Sequence, residues 1–197
     1  PVATLLGRTQ VALSRGRSAD ELREVMEGNV EELERLSALI NDMLFIARAD
    51  HDAAPIQSEP VDLTAEARRV ADFLSLIADD RGVNIRVLGE APPIPADRML
   101  IQRAITNLVS NAIRHSVELG TVVIEIAAAG NLVSLEVTNE GQIIAPEHLE
   151  RVFDRFFRAD PGRSRDAGGS GLGLAIVRSI ARIHHGSVSV RSGDGRT

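Results

Sequence analysis

Residues 168–177 read "GGSGLGLAIV", with four glycines in the first six positions and an apolar, helix-like run straight after them. Glycines at that density oppose regular structure, so their place beside a helix start asks for a reason. Bare backbone N–H groups at the positive end of a helix dipole hold phosphate well, and glycine lets a ligand approach them closely. A flexible linker would not interleave leucines and run into a helix. A dinucleotide-binding fingerprint needs a strand directly before its glycines, whereas a polar loop precedes these.

Composition restricts the architectures that such a phosphate site can use. The chain has 197 residues and is 44% hydrophobic, enough for a real core in one large domain or two smaller ones. A net charge of −6 argues against nucleic acid as the main partner. The absence of cysteine excludes disulfides and thiolate metal sites. All 22 basic residues are arginine. A P-loop and a eukaryotic-type protein kinase both place a lysine on the phosphates, so neither can be built here. No apolar run approaches the roughly 18 residues that cross a bilayer, and no signal peptide opens the chain.

Working outward from the glycines, the chain divides at "DHDAAPIQSEP", residues 50–60, a polar stretch with two prolines that reads as a linker over 51–60. Before it, residues 1–50 read as a helical hairpin. Ser18-Ala19-Asp20-Glu21 has capping-box spacing, and Leu22, Val25, Leu33, Leu36, Ile40, Met43 and Ala47 form a seam in steps of three and four. Two helices cannot enclose a core alone. The hairpin is therefore expected to pair with a second copy as a four-helix bundle, the alternative being packing onto its own chain. Beyond the linker, residues 61–197 alternate. Asp62 caps a helix to about Asp80, "VNIRVL" (83–88) is a strand, and "APPIPAD" is a loop whose Asp97 caps a helix to about His115. Two strands flank Gly130-Asn131, a short helix follows Pro146, the glycine run opens a helix to about His184, and "SVSVRS" (187–192) is a last strand. The fold class is α+β: a helical hairpin followed by one sheet under one helical layer.

Three stretches carry chemistry. In "NLVSNAIRHS" (107–116), Asn107 and Asn111 share a helix face, with Arg114 and His115 one turn on. Amide oxygens are hard ligands that suit Mg²⁺, which keeps several waters and binds substrate phosphates; alone, two such asparagines are ordinary surface residues. In "VTNEGQIIAPEHL" (137–149), a strand ends at Asn139, Gly141 permits close backbone approach, and Ile143-Ile144 put apolar surface beside a polar side chain. That combination suits a flat base, though by itself it is a common turn. In "RVFDRFFRADPGRSRDAGGSGLGL" (151–174), Phe153, Phe156 and Phe157 precede a loop too polar to pack, and Arg151, Arg155, Arg158, Arg163 and Arg165 cluster in the stretch.

Their order resembles the catalytic and ATP-binding domain of bacterial sensor histidine kinases, which share a wider fold with gyrase, Hsp90 and MutL. The hairpin resembles their dimerisation and histidine-phosphotransfer domain. "VALSRGRSADELREV", "LERLSALINDMLFIARAD" and "FDRFFRAD" are similar to the heavy-metal and copper-responsive group. The resemblance implies that Asn111 ligates Mg²⁺ with Asn107 in support, that Arg114 contacts phosphate, and that His115 lies against the nucleotide. It implies that Asn139 faces the adenine edge in a pocket shaped by Gly141 and Ile144. Phe156, Phe157 and Arg158, with the loop to Gly168, would form an ATP lid. Gly169, Ser170, Gly171, Leu172, Gly173 and Leu174 would close over the phosphates.

The resemblance also implies a homodimer, a response-regulator receiver domain as partner, no nucleic acid, and a place in the cytoplasmic portion of an inner-membrane protein. The γ-phosphoryl of ATP would pass to a histidine and then to a regulator aspartate. Two positions depart from the family pattern: Asn139 stands where aspartate is usual, and Ile143 where a glycine is. The phosphoacceptor motif His-Glu-x-x-Thr-Pro is expected just before Pro1, since none of His51, His115, His148, His184 and His185 has that setting, so no catalytic residue is assigned within the chain. A further strand is expected after the turn that ends at Thr197. The rival reading, an ATP-driven clamp of the gyrase or MutL type, places a water-activating glutamate where this chain has Asn107. A nucleotide-free dimerisation module would leave the glycines unexplained.

Overall fold

The structure is a computed structural model that describes residues 2–50, 56–159 and 170–197. It separates into two compact units, Pro1–Phe45 and Ile46–Thr197.

The first unit is a pair of helices, α1 (Val2–Leu13) and the greater part of α2 (Ala19–Asp50). α2 starts where its capping box requires: the Ser18 N–H donates to Glu21 Oε2 at 2.8 Å and the Glu21 N–H to Ser18 Oγ at 3.2 Å. Between the helices Asn29 Nδ2 donates to Thr9 Oγ1 at 3.1 Å. Of the expected seam, Val25 and Leu36 are half-buried. Leu22, Leu33, Ile40 and Met43 remain exposed, and Met26, Val30 and Leu44 extend the same open stripe.

In the second unit the elements run β1 (Glu59–Val61), α3 (Leu63–Asp80), β2 (Asn84–Gly89), β3 (Ile94–Ala96), α4 (Arg98–His115), β4 (Thr121–Ala129), β5 (Leu132–Asn139), α5 (Pro146–Leu149) and α6 (Gly173–Ile183). Strands β2, β4 and β5 form one sheet in that order, β2 parallel to β4 and β5 antiparallel to it. The β4–β5 hairpin closes over two residues, with Gly130 at φ +61° where a primed turn favours glycine. Strand β4 alternates as a half-buried strand should, with Val122, Ile124 and Ile126 packed against Val70 and Leu74 of α3 and Ile105, Val109 and Ile113 of α4. Asp62 caps α3 by accepting from the Thr64 and Ala65 N–H groups, and Asp97 caps α4 by accepting from that of Leu100. The α+β class expected from the pattern is the one observed.

Three details differ from expectation. The "APPIPAD" segment is not all loop, because Ile94–Ala96 pairs with Glu59–Val61 as a two-stranded ribbon, which also takes Glu59 and Pro60 out of the expected linker. The Pro60–Pro95 pair is tolerated because proline cannot donate to a ladder and a two-stranded ribbon has only edges. Residues 187–192 form no strand. Val188, Val190 and Ser192 do turn inward alternately, but the segment is held by side chains: Arg191 reaches Glu136, and Ser192 Oγ accepts from the Ile144 N–H at 2.8 Å. Beside β5 it is instead Thr197 that pairs, exchanging backbone bonds with Asn139 at 2.7 and 3.0 Å. Finally, His184 does more than end a helix. Its Nε2 accepts from the Asp97 N–H at 3.0 Å while Nδ1 lies 2.8 Å from Ile180 O, so the ring ties the end of α6 to the start of α4.

Two ion-pair groups brace this unit. Glu66, fully buried, accepts from Arg98 Nη1 at 2.8 Å and Gln102 Nε2 at 2.7 Å as well as from Arg69, and Arg98 also holds Glu59. A buried carboxylate costs several kcal/mol unless it is paired in this way, so β1, α3 and α4 are fastened at one point. At the last turn of α2, where Ile46 and Ala49 are buried, Asp50 accepts from Arg155 and from Arg182 Nη2 at 2.9 Å. Those two guanidiniums, Arg155 first, hold its carboxyl below the usual carboxylate range.

Candidate functional site

Helix α4 carries Asn107, Asn111, Arg114 and His115 on its C-terminal half. Asn107 is committed within the protein: Nδ2 donates to Arg103 O at 2.9 Å, and Oδ1 lies where a side chain on Gly173 would meet it, 3.0 Å from the position of a Cβ. Glycine at 173 therefore lets the start of α6 press against α4. Asn111 is half-buried, and its amide makes no hydrogen bond among the described residues.

At the end of β5, Asn139 is only 6% exposed. Its backbone is paired to Thr197, but its side-chain amide likewise has no protein partner among the described residues. Gly141 follows two residues later, pressed so closely on α4 that a Cβ would overlap His115 O and come within 2.9 Å of Asn139 Nδ2. The Val117 N–H donates to Glu140 O at 2.9 Å and completes this seam between the end of α4 and the end of β5. Ile144 is half-buried beside it and Ile143 is 51% exposed.

Phe156 stands at φ +61°, a strained conformation for a bulky side chain, and its N–H donates to Gly171 O at 2.9 Å. Gly171 itself has φ +71°, and a Cβ there would lie 2.9 Å from the Phe156 backbone. The strand of chain leaving α5 and the one entering α6 are thus pinned to each other at Phe156 and Gly171. Phe157 is packed under Arg151, whose guanidinium lies 4.6 Å from the ring centroid, and edge-on to His148. Leu172 is fully buried and anchors the start of α6, its N–H donating to Ser170 Oγ at 3.2 Å, and Leu174 is half-buried. Among the described residues no side chain caps α6, which leaves the N–H groups of its first turn, beyond that of Leu172, available to an outside acceptor. Gly169, with Gly168, Arg163, Arg165 and His51, lies outside the described residues.

The last turn of α4 is strongly cationic. Arg114 is pushed below the usual guanidinium value, first by burial and then by Arg81 and Arg158. His115 keeps one face open to solvent, yet burial first, then Arg114, Arg81 and Arg158, hold its imidazole below its ordinary value of 6.5. The folded state therefore binds less proton at His115 than the unfolded chain does. Its contribution to stability is complete above the ordinary imidazole pKa and is lost as pH falls through the folded value. Unfolding midpoints measured from pH 8 downward should fall less steeply in His115→Gln than in the unmodified protein. Parallel profiles would remove the cationic surroundings as the cause.

The folded chain thus brings Asn107 against Gly173, Gly141 against both His115 and Asn139, and Phe156 against Gly171. Arg81 enters the same neighbourhood from the end of α3, which nothing in the local "DDRGV" sequence signals beyond a turn.

Residues 96–197 match the model of the histidine kinase-, DNA gyrase B-, and HSP90-like ATPase family. Over 98% of its length the chain is 43% identical to the sensor histidine kinase CusS of Escherichia coli K12, covering 40% of that protein. Among solved structures, the histidine kinase AdeS of Acinetobacter baumannii superposes with a TM-score of 0.82 at 22% identity, over 100% of this chain and 90% of that one. Full-length ShkA in complex with AMPPNP superposes with a TM-score of 0.76 at 28% identity, over 98% of this chain and 40% of that one. The chain spans about two fifths of the length of the curated relatives that it matches.

Proposed function

The chain belongs to the histidine kinase-, DNA gyrase B-, and HSP90-like ATPase family, and from that premise we propose that it is the dimerising, ATP-binding core of a sensor histidine kinase. The observation that carries the reading is a pair of side-chain amides, Asn111 and Asn139, without protein partners among the described residues, together with a start of α6 that meets α4 at Asn107 and has no side-chain cap among the described residues. Both amides are open to a ligand, and a nucleotide triphosphate supplies partners for each. Asn139 takes the adenine edge, with Gly141 and Ile144 shaping the pocket, and His115 lies beside the nucleotide. Arg114 and the N–H groups of residues 170–174 take the phosphates, Gly169 belonging to the same run. Phe156, Phe157 and Arg158 form the base of the lid.

Among the described residues no three His, Asp or Glu side chains converge as a metal cage. An amide oxygen is a hard donor, and Mg²⁺ takes most of its other ligands from substrate phosphates and water, so Asn111 Oδ1 fits it. Bound there, Mg²⁺ would offset charge on the phosphoryl oxygens. In the natural protein that carries this chain, the γ-phosphoryl would move from ATP to a histidine nitrogen, releasing ADP, and then to an aspartate of a response-regulator receiver domain. The clamp reading is not favoured: Asn107 stands where that mechanism needs a base, and its Nδ2 is already bonded to Arg103 O. Incubation of the natural protein with γ-labelled ATP should give acid-labile, base-stable protein label that a receiver domain removes. Steady phosphate release without protein label would instead support the clamp.

Dimerisation follows from the open stripe on α2. Leu22, Met26, Val30, Leu33, Ile40 and Leu44 recur at helical spacing and are each at least 41% exposed, a seam that a second copy would bury as a four-helix bundle. Leu33→Glu with Ile40→Glu should convert a dimer to a folded monomer in sedimentation; an unchanged dimer would place the contact elsewhere. No helix among the described residues is long and apolar enough to cross a membrane, and the chain takes its place in the cytoplasmic portion of an inner-membrane sensor.

Base selection is the softer part of the site. Asparagine offers an acceptor on one side of its amide and two donors on the other, so Asn139 can serve adenine in one rotation and guanine's carbonyl in the other. ATP should therefore be preferred over GTP only modestly, and Asn139→Asp should sharpen the preference in competitive titration. Full exclusion of GTP by the unmodified chain would move selection elsewhere.

A further inference from the structure

Arg81 ends α3 as its C-cap residue, its backbone N–H satisfied by Ala78 O and Asp79 O. Gly82 turns the chain at φ +63°, and the Asn84 N–H docks on Gly120 O to start β2 beside β4. That turn delivers the Arg81 side chain to the far end of α4, where Nη1 donates to Arg114 O at 3.1 Å. The last carbonyls of a helix lack intrahelical donors, so Arg81 caps the turn that carries Arg114 and His115.

A cap alone does not explain the company it keeps. Arg81 and Arg158 both act on Arg114, and all three arginines act on His115. Among the described residues no carboxylate comes within 4 Å of Arg81 or Arg114, although acids outnumber bases 28 to 22 in the chain and Asp79 and Asp80 adjoin Arg81 in sequence. Arg81 and Arg114 carry like charges at this turn, and an anion bound there would offset their repulsion. Resting on the ATP reading above, we infer that Arg81 is a residue of the nucleotide site, holding the last turn of α4 in place and adding a cation that favours polyphosphate over monophosphate nucleotides. It positions Arg114 through the carbonyl and attracts the phosphate chain through its charge.

The two roles separate by nucleotide. AMP, ADP and a non-hydrolysable ATP analogue, each with Mg²⁺, are competed against a fluorescent ATP analogue on the unmodified protein, Arg81→Gln and Arg81→Lys. Arg81→Gln should bind the ATP analogue about tenfold more weakly, the size of one lost charge-assisted contact, ADP less affected, and AMP within about twofold. Its affinity for the ATP analogue should also depend less steeply on salt, because one fewer cation contributes. Arg81→Lys, which keeps the charge and one donor, should recover most of the loss. Equal weakening of AMP and the ATP analogue would reduce Arg81 to a structural cap, and no weakening at all would remove it from the site; either overturns the inference. If Arg81→Gln does not fold, Arg81→Lys decides alone, since unchanged phosphate-length selectivity supports a charge role and its loss contradicts one. Failure of the unmodified protein to bind any of the three would instead overturn the ATP reading, and this inference with it.

Discussion

Asn111→Ala should bind a Mg²⁺–ATP analogue about ten- to a hundredfold more weakly than the unmodified chain, with little change when EDTA replaces Mg²⁺. The magnitude is that of a lost contact to a charged group, about 1.5–3 kcal/mol. The fold should be unaffected, because the Asn111 amide holds nothing else among the described residues. Asn107→Ala should behave differently. It removes the bond to Arg103 O and the surface against Gly173, so it should lower the unfolding midpoint and weaken nucleotide binding in Mg²⁺ and EDTA alike. Equal losses for Asn111→Ala in both media would take the metal away from that residue.

Gly141→Ala should be the most damaging single methyl group in the site. A Cβ there would overlap His115 O and crowd Asn139 Nδ2 at 2.9 Å, and the atoms that must yield are backbone and a buried amide. Overpacking of this kind costs about 1–3 kcal/mol, a few degrees of melting temperature for a unit of this size. The shift falls on His115 and Asn139, which we propose face the nucleotide, so ATP binding should drop by more than the stability loss alone explains. Gly130→Ala provides the comparison. Gly130 has φ +61° but nothing within 4 Å of a Cβ, so it should cost stability of about 1 kcal/mol through backbone strain and leave nucleotide binding intact. Comparable binding losses in both variants would separate Gly141 from the site.

What the sequence made legible is local. The Ser18–Glu21 box, the Asp62 and Asp97 caps and the Gly130–Asn131 turn each act within four residues, and each stands where the pattern put it. What stayed hidden joins residues far apart in the chain. The Pro60–Pro95 ribbon contradicts strand propensity and exists because the register Glu59 to Ala96 is set by tertiary contacts. Glu66 looks like any polar helix residue until Arg98 and Gln102 arrive from α4, 32 and 36 residues later. His184 carries no local sign of its bond to Asp97, 87 residues away. Residues 187–192 kept the strand's alternation but are held by side chains rather than by a ladder.

The site divides in the same way. Motif order proposed α4, the end of β5 and the glycine run as parts of one site, because phosphate and base chemistry restrict residue type, and the fold brings Gly173 against Asn107 and Gly141 against His115. Spacing alone could not say which asparagine is bound within the protein and which is open: Asn107 bonds back to Arg103 O, and Gly173, 66 residues on, arrives against its Oδ1.

The central claim is that α4, the end of β5 and the start of α6 together form a nucleotide site. Calorimetric titration of the unmodified chain with a non-hydrolysable ATP analogue tests it directly, in Mg²⁺ and again in EDTA. The account predicts a single saturable site per chain, tighter in Mg²⁺, and loss of that Mg²⁺ advantage in Asn111→Ala. Absence of any saturable heat at millimolar nucleotide, with or without Mg²⁺, would contradict it.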